Sequence, residues 1–529
     1  MHDILRELAL SISVKEKFGV VHDGEEEMKE CRARRISIHK TDGELKSFTS
    51  MSKIRSFLVF NKTLKALPLG SKMLRVLDLE DAPIDELPDE VFKLFNLRYL
   101  NLKRTLLKKL PNAIGRLLNL QTLDLTDTQI ETLPRGIGKL QNLRHLLMFR
   151  YTGNWNDFLY YIGMQAPSNF ARLKNLQAVC SIEANDDLIR QIQSMTQLTS
   201  IGISNLKAVH EKDLCISIQN MRLLKILSIT VTNEEETLRM DALSSPPPNL
   251  QKLNLTGKLE KVPQWFRSLQ SLTYLNLHWS RLEEDLLPHI AALPHLGLLH
   301  LNNAYVGKQL CFSTGFLKLK ELQIRNSPQL NEIIIEKGVM PNLKSLYIIS
   351  CMELKTVPKG IEYLQNLQQL YLKSVSMELK NHIEGEGSVD FPEVQHIPNI
   401  YIWVRHQTAT KIQKINGKSR APYQRGSKDM TLRTLPLGSK MLRVLDLEDA
   451  SIDELPNEVF KLFNLRYLNL RRTLLKKLPN SIGGLLNLQT LDIVDTQIET
   501  LPRGIGKLQN LRHLIMHRYT GIGMTSDII

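Results

Sequence analysis

Three groups of aromatic, basic and imidazole side chains stand where they could do recognition chemistry. Arg98, Tyr99, Lys103 and Arg104 form the first, with Phe149 and Arg150 further on; Tyr274, His278 and Trp279 form the second; Tyr347, Tyr371 and Lys373 form the third. Aromatics mixed with Arg are the types enriched at protein-binding hot spots, so the chemistry on offer is noncovalent. Covalent chemistry finds less support. Gly417-Lys418-Ser419 ends like a phosphate-binding loop, whose backbone cradles phosphates while Lys and Ser contact phosphate and magnesium. The first glycine of that pattern would fall at Ile412, and no predicted strand leads into it. GxSxG, HExxH and calcium-loop patterns do not occur, and the 14 His are scattered. Cys31, Cys180, Cys215, Cys311 and Cys351 are odd in number and far apart with no CxxC, which reads as a reduced, intracellular protein. Nothing supplies a nucleophile, a metal site or a complete phosphate loop, so an enzyme is not expected.

The elements that position the three groups follow from leucine. Of 529 residues, 42% are hydrophobic but only 6% aromatic, and Leu fills about one position in six, so leucine builds the core. LRVLDLEDAPIDELPDEVFKLFN opens at Leu74, LRYLNLKRTLLKKLPNAIGRLLN at Leu97, LQTLDLTDTQIETLPRGIGKLQN at Leu120 and LRHLLM at Leu143, a step of 23 residues each time. This is the leucine-rich-repeat pattern. Leu97, Leu100 and Leu102 point inward from a short strand, Thr105 is expected to bond neighbouring backbones, Leu110 and Pro111 turn the chain, and Ile114 with Leu117 pack the return segment. One unit cannot bury its own apolar face, so the units must stack. The fold class expected is an α/β leucine-rich-repeat solenoid, a horseshoe with a parallel concave sheet, preceded by a short helical remnant and followed by a second short solenoid.

Further units open near Leu198, Leu224, Leu250, Leu272, Leu296, Leu322, Leu343 and Leu367, with steps stretching to 26 residues. Residues 151–170 break the register and read as a tolerated loop insertion. The three recognition groups fall between the inward leucines, on the concave, solvent-facing side. His278, His300 and His513 read as ordinary outward residues there, and the sequon at Asn254 lies inside a predicted strand and reads as coincidence.

Residues 431–521 repeat residues 63–153 at a constant offset of 368, down to surface positions. The second copy passes from Tyr519-Thr520-Gly521 straight to Ile522-Gly523-Met524, skipping the counterpart of residues 154–161. This is a recent duplication of coding sequence or a joining of two neighbouring copies. Between the copies, residues 405–430 carry seven basic residues against one acidic, a net +6 of the chain's +14. A polybasic patch for lipid or nucleic acid is one reading, but no aromatic row accompanies the charges, so a solvated linker is expected and nucleic acid is not. Charges run through residues 1–20, and no apolar stretch reaches the 18 or so residues of a membrane span. The expected location is cytoplasmic.

Met1-His2-Asp3 followed by ILRELALSIS resembles the MHD motif and following helix of plant coiled-coil nucleotide-binding leucine-rich-repeat disease-resistance proteins. Residues 31–38, 53–60 and 73–80 resemble the junction and first repeats of that family, and the resemblance runs to about residue 404. It implies that residues 1–30 are the winged-helix end of a nucleotide-binding module, 31–404 the solenoid, 405–430 a basic linker and 431–529 the duplicated repeats. In the family the motif's His senses the phosphate of bound ADP, which puts His2 and Asp3 in the cofactor position. The family's P-loop has no counterpart in this chain, so these two are expected to be vestigial, with no ADP or ATP bound. The resemblance further implies a non-enzymatic defence module whose concave face binds a pathogen effector, a guarded host protein or a nucleotide-binding module supplied in trans. A generic cytosolic scaffold and a nonfunctional product of a rearranged gene are the alternatives.

Overall fold

The computed structural model describes residues 20–22, 34–38, 53–59, 72–152, 157–383, 389–404 and 410–413, and most of 444–515. The chain divides into two compact units, Met1–His295 and Leu296–Ile529.

In the first unit the leucine period becomes a parallel ladder. Strands β1 (Val20–His22), β2 (Arg35–Ile38) and β3 (Ser56–Val59) lead into β4 (Val76–Asp78), β5 (Tyr99–Asn101), β6 (Thr122–Asp124) and β7 (His145–Leu147). Each pairs in parallel with the next, so Val76, Tyr99, Thr122 and His145 share one line across the sheet. The junction strings are therefore repeat strands too, and part of the expected N-terminal remnant adds a strand. A two-stranded antiparallel hairpin, β8 (Arg150–Tyr151) and β9 (Tyr161–Ile162), interrupts the ladder, which resumes through β10 (Ala178–Glu183), β11 (Ser200–Leu206), β12 (Ile226–Val231), β13 (Lys252–Thr256) and β14 (Tyr274–His278).

Local physics explains the unit. Leu97, Leu100 and Leu102 are fully buried, each contributing about 1.5–3 kcal/mol. Pro111, held at φ −65, starts a single tight turn over Asn112–Arg116 that buries Ile114 and returns the chain for the next strand. Adjacent turns touch so closely that a Cβ on Gly136 would lie 2.2 Å from the Asn112 carbonyl oxygen, while the Gly136 amide donates to Asn112 Oδ1 at 3.0 Å. In the first repeats the polar ladder between units runs through asparagine and not through Thr105. Thr105 Oγ1 donates to Leu102 O within its own unit (2.7 Å), whereas the amides of Asn96, Asn119 and Asn142 donate to the carbonyls of Lys72, Phe95 and Leu118 in the preceding units at 2.8–3.0 Å. Position decides which hydroxyls cross: those of Thr199, Ser271 and Thr273 stand where they donate to Gln177, Pro248 and Gln251 carbonyls of the preceding units at 2.9–3.0 Å, whereas Thr105 reaches only its own turn.

In the second unit β15 (Leu298–Asn302) precedes β16 (Gln309–Phe312), β17 (Glu321–Arg325), β18 (Glu332–Ile335), β19 (Ser345–Ile349), β20 (Gln369–Val375) and β21 (Asn399–Val404). Strands β15, β17, β19, β20 and β21 form the main parallel sheet, and β16 pairs with β18 in a separate one. Strand β22 (Thr410–Gln413), inside the expected linker, closes on β21 in antiparallel sense. The duplicated segment builds its own parallel sheet from β23 (Val444–Asp446), β24 (Tyr467–Asn469), β25 (Thr490–Asp492) and β26 (His513–Ile515), with Val444, Tyr467, Thr490 and His513 in line. Among the described residues no helix is long and apolar enough to cross a membrane.

Candidate functional site

The period of two along each strand sends leucines into the core and the recognition groups to the opposite face. The structure treats the three groups differently.

In the first group the charges of Lys103 and Arg104 are spent within the chain. Arg104 donates to both Asp81 carboxylate oxygens (2.6 and 2.9 Å) and to Glu80 at 2.6 Å, and Lys103 pairs with Glu80 at 2.9 Å. Burial opposes ionisation of Glu80, but the hydrogen bonds from Lys103 and Asn101 prevail and lower its pKa. The Asp81 carboxylate pushes the Arg104 pKa up, so that charge is fixed. Arg98 is exposed and Tyr99 half-buried beside them.

The second group is covered. Residues 157–162 lie against β12 and β14 as a strap. His278, expected to face solvent, is only 2% exposed, because its Nε2 meets the Asp157 carbonyl oxygen at 2.9 Å and its ring meets Tyr160 edge-on at 5.3 Å. Burial holds the His278 pKa below the ordinary imidazole value. Phe158 packs edge-on to Trp279 at 5.8 Å, and the Tyr161 hydroxyl meets Thr230 Oγ1 at 3.1 Å. Phe149 braces the root of the strap through Tyr151 (5.1 Å) and Tyr161 (6.2 Å), while Arg150 lies 3.8 Å from Glu131. Arg281 stacks over Trp279 at 4.9 Å and pairs with Glu235 at 3.0 Å and with Glu234. The insertion that reads in sequence as a tolerated loop is thus part of the face.

The third group is a ladder. Tyr347 and Tyr371 stack at 4.5 Å and 8°, and Tyr371 stacks on Tyr401 at 4.4 Å and 11°, because parallel in-register pairing puts all three on one line. Burial pushes the Tyr371 pKa up, so its hydroxyl stays protonated and able to donate. Lys373 stands exposed two residues beyond Tyr371. Tyr401 escapes sequence reading because its unit is built on Ile397, Ile400 and Ile402 rather than on leucine; its place on the Tyr371 line was the available signal.

Reactive chemistry is held down where it can be seen. Burial raises the Cys180 and Cys351 thiols to about 11 and Cys215 to about 12, far from thiolate. Among the described residues no group of three or more His, Cys, Asp or Glu could hold a metal. The Asn254 amide donates to Ser228 Oγ at 3.0 Å inside the sheet. His2, Asp3 and Gly417-Lys418-Ser419 lie outside the described residues.

A family model described as a leucine-rich repeat region matches residues 53–384 and 428–526. The chain belongs to the leucine-rich repeat family. Its repeats are of the plant disease-resistance kind. They are 46% identical over 420 residues to the disease resistance protein RPM1 of Arabidopsis thaliana, covering 77% of this chain and 44% of that protein. They are 30% identical over 233 residues to the disease resistance RPP8-like protein 3 of the same plant, covering 43% of this chain and 25% of that one. The chain thus spans less than half the length of these relatives. A solved structure of a TDR receptor matches with 17% identity and a TM-score of 0.46, over 91% of this chain and 85% of that one. The matched region runs through the strap as well as through the regular strands on either side of it.

Proposed function

We propose that this chain is a non-enzymatic protein-recognition module acting in plant defence in the cytoplasm, binding an effector, a host protein or a nucleotide-binding module in trans through the open face of its sheets. The observation that carries this reading is the stacked row Tyr347, Tyr371 and Tyr401 with Lys373 beside it. Rigid aromatic rings aligned by backbone register offer contact area at low entropic cost, and the neighbouring ammonium supplies orientation. A core position would bury these rings; here they stay half-exposed. The domain division expected from sequence belongs to the same proposal: a principal array to residue 404, a basic connector, and a short duplicated array.

The test is affinity capture from plant tissue with the full chain and with its Tyr347→Ala/Tyr371→Ala and Lys373→Glu variants, quantified by mass spectrometry. Partners enriched by the parent chain should fall at least ten-fold with the variants while circular dichroism stays unchanged. An identical partner set at identical abundance would refute the reading.

A further inference from the structure

Resting on that reading, we infer that residues 157–162 are a built-in pseudo-ligand, and that the face beneath them takes an extended polypeptide carrying two aromatic side chains two positions apart, in exchange for this segment.

The strap engages the sheet as a bound peptide would. Thr230, Thr256 and His278 share one line across β12, β13 and β14, and the strap meets the two ends of that line: the Asp157 carbonyl at His278 and the Tyr161 hydroxyl at Thr230. Two strand spacings are about 10 Å, which four extended residues span at about 3.3 Å each, so the segment crosses the strands. Phe158 and Tyr160, two apart, deliver their rings to Trp279 and His278. One backbone acceptor and two ring edges make a compact recognition element.

The receiving face is built for it. Trp279 sits at φ +56, a repeat position held elsewhere mostly by Asp, Asn and Ser (Asp81, Asp127, Asn205, Ser350) and once by Arg104, so that among the described residues Trp279 is the aromatic one there. A bulky residue there is strained, and such strain persists where the side chain serves a contact. Arg281 stacked on its ring fixes the orientation.

The four repeat strands that precede the segment form without it. The second copy omits the counterpart of residues 154–161 and still forms its four-stranded sheet. At the position of Phe149, which braces Tyr161, that copy carries His517. Brace and strap are present together and absent together.

The experiment uses the full chain, a variant lacking residues 154–161 and joined as the second copy is, and a fluorescein-labelled peptide of residues 154–162. By anisotropy, the deletion variant should bind the peptide at least ten-fold tighter than the intact chain, and a Phe158→Ala/Tyr160→Ala peptide should lose that gain. A folded deletion variant that binds no better than the parent overturns the inference. If deletion impairs folding, the intact chain carrying Phe158→Ala/Tyr160→Ala is titrated instead; it should admit the wild-type peptide, and failure there overturns the inference equally. A failed exchange with partner capture still sensitive to Tyr371 breaks this inference alone, whereas the opposite result breaks the proposed function alone.

Discussion

Residues 63–153 and 431–521 are two renderings of one repeat segment, and they part ways at their C-terminal ends. Both place Val, Tyr, Thr and His on one strand line. Both press a glycine against an asparagine of the preceding turn, Gly136 on Asn112 and Gly504 on Asn480, with a Cβ clearance of 2.2 and 2.1 Å. The first copy continues into a strap laid over later strands, while the second skips it. The repeat structure is therefore local and portable; the cover on the strand face is a separate device, tied to Phe149 and a distant His278.

Core truncation probes the portability most strongly. Leu100→Ala and Leu468→Ala remove equivalent, fully buried side chains, each costing about 2–5 kcal/mol. In the second copy that loss falls on a sheet of four strands. Amides of β24 should lose exchange protection with Leu468→Ala far more than those of β5 with Leu100→Ala; equal losses would show that the copies are equally buttressed.

Next in size, Gly136→Ala and Gly504→Ala should each cost about 1–3 kcal/mol by overpacking, visible as matched falls in denaturant midpoint for the two arrays. Unequal falls would break the equivalence of the turns. Smaller still, Asn142→Ala and Asn510→Ala remove matched 2.9 Å ladder bonds to Leu118 and Leu486 and should cost about 1 kcal/mol each. Thermal melts of the two variants should shift by similar amounts.

The smallest effect is confined to the strapped region. Burial lowers the His278 pKa, so the opened state takes up a proton more readily than the covered one. The strap is held best above the ordinary imidazole value and loosens as pH falls through it. The Asp157 and Phe158 backbone contacts oppose this in part, and Tyr160 is the titratable side chain packed on the ring. Acrylamide quenching of Trp279, taken as the difference from a Trp279→Phe chain, should rise between pH 7.5 and 5.5 and stay flat in a His278→Gln variant.

Sequence reading reached the strands because a leucine in the wrong phase would leave the core, and the period survives even where it stretches. In the first unit β11 to β14, and in the second β15, β19 and β20, begin two residues after the marked leucines, while Leu322 lies inside β17. The cover was not legible, since the strap is short and aperiodic and its histidine partner lies 121 residues away. For the same reason His278 read as an outward residue. Lys103 and Arg104 read as available charges, but their acidic partners sit 23–24 residues upstream, one turn of the array back, where only the stacked structure brings them together. Thr105 reads as a ladder residue but bonds within its own turn, because the place in the repeat, and not polarity alone, decides which side chain crosses between units: Asn119 and the Thr273 hydroxyl do, and Thr105 does not.

The central claim is that the chain covers part of its own proposed recognition face with an exchangeable segment. Hydrogen exchange of the full chain against the variant lacking residues 154–161 tests it most directly. The account predicts that amides of Ile226–Val231 and Tyr274–His278 exchange at least ten-fold faster in the variant, while those of Tyr467–Asn469 and Thr490–Asp492 are unchanged. Equal protection of β12 and β14 in both chains, or loss of protection throughout the array, would contradict it.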